Sequence, residues 1–280
     1  MTDETSATEE TIGTNTGPLL VKLLYENCPE LSKELLTAKL QSIDPMVEPF
    51  EGDLCLFRNE RYKVKDVAGD VSIPILVSPL EALNYEEQML SLQQTWDWPE
   101  AKTQLTYCRH GVLIADVGGA ALSAKDRITA FQTVLAAVLQ LNPPQVVFWT
   151  TSQRLVEPTT LSRELNKGGR SSVLNGAVNV RSYRDQANLS HHILDTLGLE
   201  YFGLTDFQCH FHSLEIGAVA GILFNLAAYV FEHGNVIETG HTVEGINGEQ
   251  WKCSLEWSLV APRRPVIDIH PGDLATARKL

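Results

Sequence analysis

The chain has 280 residues, 44% of them hydrophobic and 20% charged, enough for one large or two small domains around a packed core. Lys and Arg total 22 against 35 Asp and Glu, a net charge of −13. That balance excludes a general nucleic-acid binder, since phosphate binding needs clustered positive charge, and leaves a basic protein as the complementary partner.

Residues 1–17 are rich in Thr, Glu, Asp, Ser and Gly and predict a disordered acidic tail with none of the apolar run of a signal peptide. Leu19–Tyr25 reads as a strand. Pro29 opens a helix to about Leu40, with Leu31, Leu35 and Ala38 on one face. Short strands follow at Leu54–Phe57, Tyr62–Val67 and Val71–Val77, separated by Asn-Glu and Gly-Asp turns. Asn84 with Glu87 caps a helix that carries Met89, Leu90 and Leu92, and Pro99 starts a second one to Tyr107. Gly111–Val117 is a buried strand. Ser123 and Asp126 cap a helix showing Ile128, Phe131, Leu135 and Val138; Pro143-Pro144 stop it before the strand Gln145–Thr150, so the unit predicts a strand–helix–strand crossover.

Pro, Thr, Gly and Ser concentrate over 157–176, which predicts a short helix from Thr160 and then a loop or linker. It separates a half over 18–156 from one over 177–280. The second half predicts a strand at Ala177–Tyr183, another at Leu204–His212, and a core helix at Ile216–Phe231, too short to span a bilayer. Trp251, Cys253, Leu255, Trp257 and Leu259 then alternate along a strand, and Val266–Ile269 closes the chain's last one. The expected fold is α+β, mixed sheets with packed helices arranged as two similar sandwich-like halves in one compact unit.

The five cysteines are odd in number and widely spaced, with no Cys-x-x-Cys pair. They favour a reducing compartment, and the cytoplasm is the expected location.

At a period of two, Asp206, Gln208, His210 and His212 share one strand face and Phe207, Cys209 and Phe211 the other, the pattern of a half-buried strand. His-x-His with a nearby carboxylate is the raw material of a metal site, which would take His210, His212 and Asp206; His191 and His192 point opposite ways, so at most one could join. A polar face turned to water or to a partner explains the same pattern. Cys209 and His210, as neighbours on a strand, cannot form a thiolate–imidazole couple. No Gly-x-Ser-x-Gly elbow occurs, and Asp116-Val-Gly-Gly-Ala120 lacks a phosphate-binding spacing and reads as a tight turn. Arg154, Arg163, Lys167, Arg170, Arg181 and Arg184 form a locally basic stretch, read as a solvated loop. Of Trp96 and Trp98, one packs inward and the other is an interface anchor.

The runs Leu194-Asp-Thr-Leu-Gly-Leu199, Phe207-Gln-Cys-His-Phe-His212, Tyr229-Val-Phe-Glu232, Trp251-Lys-Cys253 and Asp268-Ile-His-Pro-Gly272 resemble a bacterial family known only as a domain of unknown function, number forty-two sixty-one. The resemblance is strongest over 190–273. It brings no reaction, cofactor or catalytic residue. It implies a cytosolic α+β protein, in some members associated with secreted-toxin systems including type VI secretion, and so an immunity role.

The expectation is therefore a non-enzymatic cytoplasmic protein that neutralises a cognate toxin by occluding its active site. It needs no cofactor or metal and binds neither nucleic acid nor membrane. Asp206, Gln208, His210, His212 and Trp98 are the expected contact residues. The alternatives are a metal-dependent hydrolase built on His210, His212 and Asp206, and a secretion-system adaptor.

Overall fold

The computed structural model describes residues 17–66, 69–167, 174–272 and 275–277. The tail expected over 1–17 lies, apart from Gly17, outside the described residues. Helix and strand contribute about 32% and 31%, with strands and helices gathered into separate layers, an α+β fold.

The first half holds β1 (Leu20–Tyr25), α1 (Lys33–Ile43), β2 (Val47–Pro49), β3 (Leu56–Asn59), a small hairpin of β4 (Lys63–Asp66) and β5 (Gly69–Ser72), and β6 (Ile75–Leu80). It continues through α2 (Tyr85–Leu92), α3 (Ala101–Tyr107), β7 (His110–Asp116), α4 (Ala124–Leu141), β8 (Val146–Trp149) and β9 (Arg154–Val156). Seven of these strands form one antiparallel sheet in the order β2-β3-β6-β7-β1-β8-β9. The crossover from β7 through α4 to β8 is present, but β1 sits between the two strands and is antiparallel to both. On β1, Val21, Leu23 and Tyr25 face the core shared with Leu36, Leu40 and Phe131. Leu24 faces a second cluster with Trp98, Leu105 and Phe148. Burial on both faces is why β1 reads as an apolar run broken only by Lys22, which pairs with Glu87.

Two helices differ from their sequence reading. α1 starts at Lys33, capped by Ser32, whose hydroxyl accepts from the Leu35 N–H, and it buries Leu36 and Leu40 while Leu35 is exposed. α2 begins after the expected Asn84 cap but buries Gln88 and Ser91, leaving Met89 and Leu90 outside. The predicted strand Val71–Val77 is two strands, β5 and β6, divided at Ile73-Pro74, since Pro74 has no N–H for a ladder.

Beyond α5 (Pro158–Lys167), which buries Leu161, residues 168–173 lie outside the described set. The second half contains β10 (Asn179–Arg184), β11 (His192–Leu197), β12 (Asp206–Phe211), α6 (Ile216–His233), β13 (Thr242–Glu244), β14 (Gln250–Trp257) and β15 (Pro265–His270). They form a mixed sheet, β10-β11-β12-β15-β14-β13, with β12 and β15 parallel. β11, a strand the sequence reading missed, pairs with β12 through Leu194↔Cys209 and Asp195↔Gln208.

α6 is the one helix among the described residues long and apolar enough to cross a membrane. Its Val219, Leu223, Ala227 and Val230 are buried on the inner face of the second sheet, with Phe207, Cys209 and Phe211. One apolar cluster joins the halves, running from Leu19 through Trp149 and Leu174 to Trp251. Gln94 reinforces the joint by gripping the edge of β10: its Oε1 accepts from the Ser182 N–H at 2.8 Å and its Nε2 donates to the Ser182 carbonyl.

Candidate functional site

β12 is not half-buried. Its flanks β11 and β15 leave it in mid-sheet; α6 covers one face, and an ionic layer lies on the other. Arg181 meets Asp195 through two parallel bonds, Nε–Oδ1 at 2.9 Å and Nη2–Oδ2 at 2.5 Å. Arg264 reaches Asp195 Oδ2 at 2.8 Å and Asp206 Oδ2 at 3.1 Å. Asp206 also accepts from the Thr196 hydroxyl at 2.8 Å and the Leu199 N–H. All four charged side chains are buried, and burial pushes the Asp206 carboxyl above its ordinary range against the pull of Arg264. Gln208, also wholly buried, accepts from the Leu259 N–H through Oε1. Asp206 and Gln208 are therefore corrected from contact residues to interior ones. The sequence shows their period but not the two arginines, distant in the chain, that turn a polar face inward.

The same layer removes Asp206 from any site with the histidines. Four residues of extended chain place it about 13 Å from His210. A metal site on His210, His212 and Asp206 cannot assemble.

The histidines gather different neighbours. His210 Nε2 stands 3.0 Å from Asp185 Oδ2. The His191 ring stacks on His212 at 5.4 Å between centroids and meets His210 edge-on at 5.7 Å. His192 turns to the opposite face and stacks on Phe211, so one member of the His191-His192 pair joins and the other does not. The donor atoms of Asp185, His191 and His210 lie within 4.8 Å of one another. The Ala187 N–H and the nearby His210 together hold the Asp185 carboxyl below its usual range. His210 and His212 keep partial access to solvent.

A second cluster stands on the same sheet face. Asp268 and His270 alternate along β15, and Ser254 and Glu256 along β14, with Ser254 opposite Asp268 in the ladder. His270 Nε2 lies 2.9 Å from Ser254 Oγ, 3.5 Å from Asp268 Oδ2 and 3.8 Å from Glu256 Oε1. Sequence reasoning missed this group; its signal was the Asp-x-His spacing of Asp268 and His270, quoted only as part of a resemblance. It is not a nucleophilic triad, which needs the acid on the ring nitrogen opposite the serine. Here both carboxylates and the hydroxyl surround one nitrogen. Cys209 is no nucleophile either: burial raises its thiol well above its ordinary range.

Trp98 is the inward-packed tryptophan, buried against Leu24 and Phe148, so the expected anchor role fails there. Trp96 is the exposed one. Its Nε1 donates to the Val180 carbonyl at 3.1 Å, and it walls a cleft of about 460 Å³ floored by Gly217, Ala220 and Gly221 of α6. The basic stretch is largely spent on ion pairs: Arg154 with Asp97, Lys167 with Glu164, and Arg181 with Asp195. Asp116, before the Gly-Gly turn, is taken up by Arg127.

The largest change of environment along one element occurs on β14. Trp251 and Cys253 are buried beneath the core, whereas Leu255 and Trp257, on the same face, are 43% and 47% exposed. Leu259, in the bend that follows β14, is 40% exposed, and the Arg263 guanidinium lies 4.9 Å above the Trp257 ring.

The Ser254–His270 cluster, this apolar strip and the ionic layer except its Arg181 all fall within 195–270. That segment matches the family described as Domain of unknown function (DUF4261). The DUF4261 segment comprises β11 from Asp195 onward, β12, α6 and β13 to β15, and excludes Asp185, His191 and the whole first half. No curated protein and no solved structure matches the chain.

Proposed function

We propose that the protein works by binding another protein, as a cytoplasmic immunity protein that blocks the active site of a secreted, type VI-associated toxin. The observation that carries protein binding is the strip of Leu255, Trp257 and Leu259. Leu255 and Trp257 continue the inner face of β14 beyond the residues that are covered, Leu259 follows in the bend after the strand, and the Arg263 guanidinium lies over the Trp257 ring. Trp and Arg are the residues that most often dominate interface energies, and a row of exposed apolar side chains on one strand face is a recognition surface more than a solvated one. The net charge of −13 suits a basic partner, which it would steer into contact and orient. Immunity and type VI secretion rest on the family resemblance.

Co-expression with the toxin encoded beside it tests the reading. The expected outcome is rescued growth and a complex that co-purifies. Trp257→Ala should weaken the complex at least tenfold while the protein stays folded. Absence of both rescue and complex would sink the proposal.

A further inference from the structure

We infer that Glu256, Asp268 and His270 form a binding site for one divalent transition-metal ion, independent of the protein-binding strip. Four polar atoms converge on a single point of the outer face of the second sheet. Their spacings to His270 Nε2 run from 2.9 to 3.8 Å, and Ser254 Oγ donates to Glu256 Oε1 at 3.0 Å. A divalent cation at that point would be held by the imidazole nitrogen and the carboxylate oxygens together. Ligands held at about 2.1 Å from a metal stand roughly 3.0–3.5 Å apart, close to the observed set before any ion draws it in.

The scaffold suits the task. Asp268 and His270 are two residues apart on one strand and Glu256 lies on the adjacent one, so paired β-strands fix all three ligands. Asp268 and His270 are almost wholly buried, and Glu256 is partly exposed, which gives an ion an entry path from the Glu256 side. Lys252, opposite His270 in the ladder, is exposed. Gln208 sits opposite Asp268 on the other flank, wholly buried, and its Nε2 has no hydrogen-bond partner among the described residues. A free donor set beside a ligand carboxylate has the place of an outer-shell group that would meet an ion-bound water. The Ser254 hydroxyl plays that part for Glu256. Two carboxylates and one imidazole favour Mn²⁺, Fe²⁺ or Zn²⁺ over soft ions.

The test is equilibrium dialysis and titration calorimetry of the full chain with Zn²⁺ and with Mn²⁺ at neutral pH, with bound metal counted by elemental analysis. About one ion per chain should bind saturably. Asp268→Asn and Glu256→Gln should each weaken binding at least tenfold. His191→Ala, which disrupts the neighbouring histidine cluster, should leave it unchanged. Circular dichroism confirms folding; if the buried Asp268→Asn variant does not fold, Glu256→Gln at its partly exposed position decides alone. No saturable uptake of either ion overturns the inference, as does uptake lost in His191→Ala and kept in Glu256→Gln. Toxin binding is read separately, with Trp257→Ala, so either proposal can fail without the other.

Discussion

Arg264 holds together the part of the molecule that the sequence conceals best. It donates to Asp195, to Asp206 and to the Thr196 and Pro262 carbonyls, from a position more than 50 residues away from both acids. Removing one partner of a buried ion pair leaves the other charge in a medium that solvates it poorly, at a cost of about 3–5 kcal/mol. Arg264→Leu therefore leaves Asp206 without its arginine and Asp195 with Arg181 alone, and should lower stability by that amount in urea denaturation. Changing Asp206→Asn in the same chain should recover part of the loss, because one buried carboxylate then disappears. A loss under ~1 kcal/mol would mean that the layer is hydrated and open. The period-two pattern of Asp206, Gln208 and His210 was legible from the sequence. Their burial was not, because a polar residue's partner across the fold leaves no local trace, and the default reading of a polar strand face is solvent.

At the scale of elements, strands and helices announced by strong periodicity or good caps were readable. α4 begins at its Ser123 cap, with the hydroxyl accepting from the Asp126 N–H, and β14 alternates as expected. Failures fall where burial contradicts local pattern. The stripe of α1 was misplaced because Leu31, Leu35, Leu36 and Leu40 allow two faces, and only packing against α4 and β2 chooses Leu36 and Leu40. β11 was missed because His192-Ile-Leu-Asp-Thr-Leu197 alternates poorly when both faces are buried and one carries Asp195. β14 shows the converse: a regular alternation that the sequence cannot divide into covered and uncovered parts. The two ends should respond oppositely to mutation. Trp251→Ala opens the core, and losses of about 3–5 kcal/mol are usual for such truncations. Trp257→Ala should cost less than ~1 kcal/mol, in the range of surface substitutions. Urea titration of both variants checks this; equal losses would place Trp257 in the core and remove the proposed contact strip.

For the whole molecule, composition and pattern foretold an α+β fold, but not how firmly its two larger sheets are joined. Residues 157–176 looked like a linker because Pro, Thr, Gly and Ser concentrate there, yet Leu161 and Leu174 are buried in the cluster that runs between the sheets. Arg127 crosses the same boundary. Its Nε meets Asp116 Oδ2 at 2.5 Å in the first half, and its Nη1 donates to the Tyr201 carbonyl in the second. Both Arg127 and Asp116 are buried, so separating the halves exposes apolar surface and breaks the Arg127–Tyr201 bond in one step. Two loosely tethered domains would unfold in two steps; a shared core with a buried bridging arginine should unfold in one. Urea transitions followed at Trp149 of the first sheet and Trp251 of the second, each as the sole tryptophan in a variant with the other four replaced by Phe, should coincide in midpoint. Arg127→Leu should then move both midpoints down together, because the lost contacts belong to the joint. If Arg127→Leu lowers one midpoint and leaves the other in place, the halves are energetically separate domains, and the shared apolar cluster contributes little to their coupling.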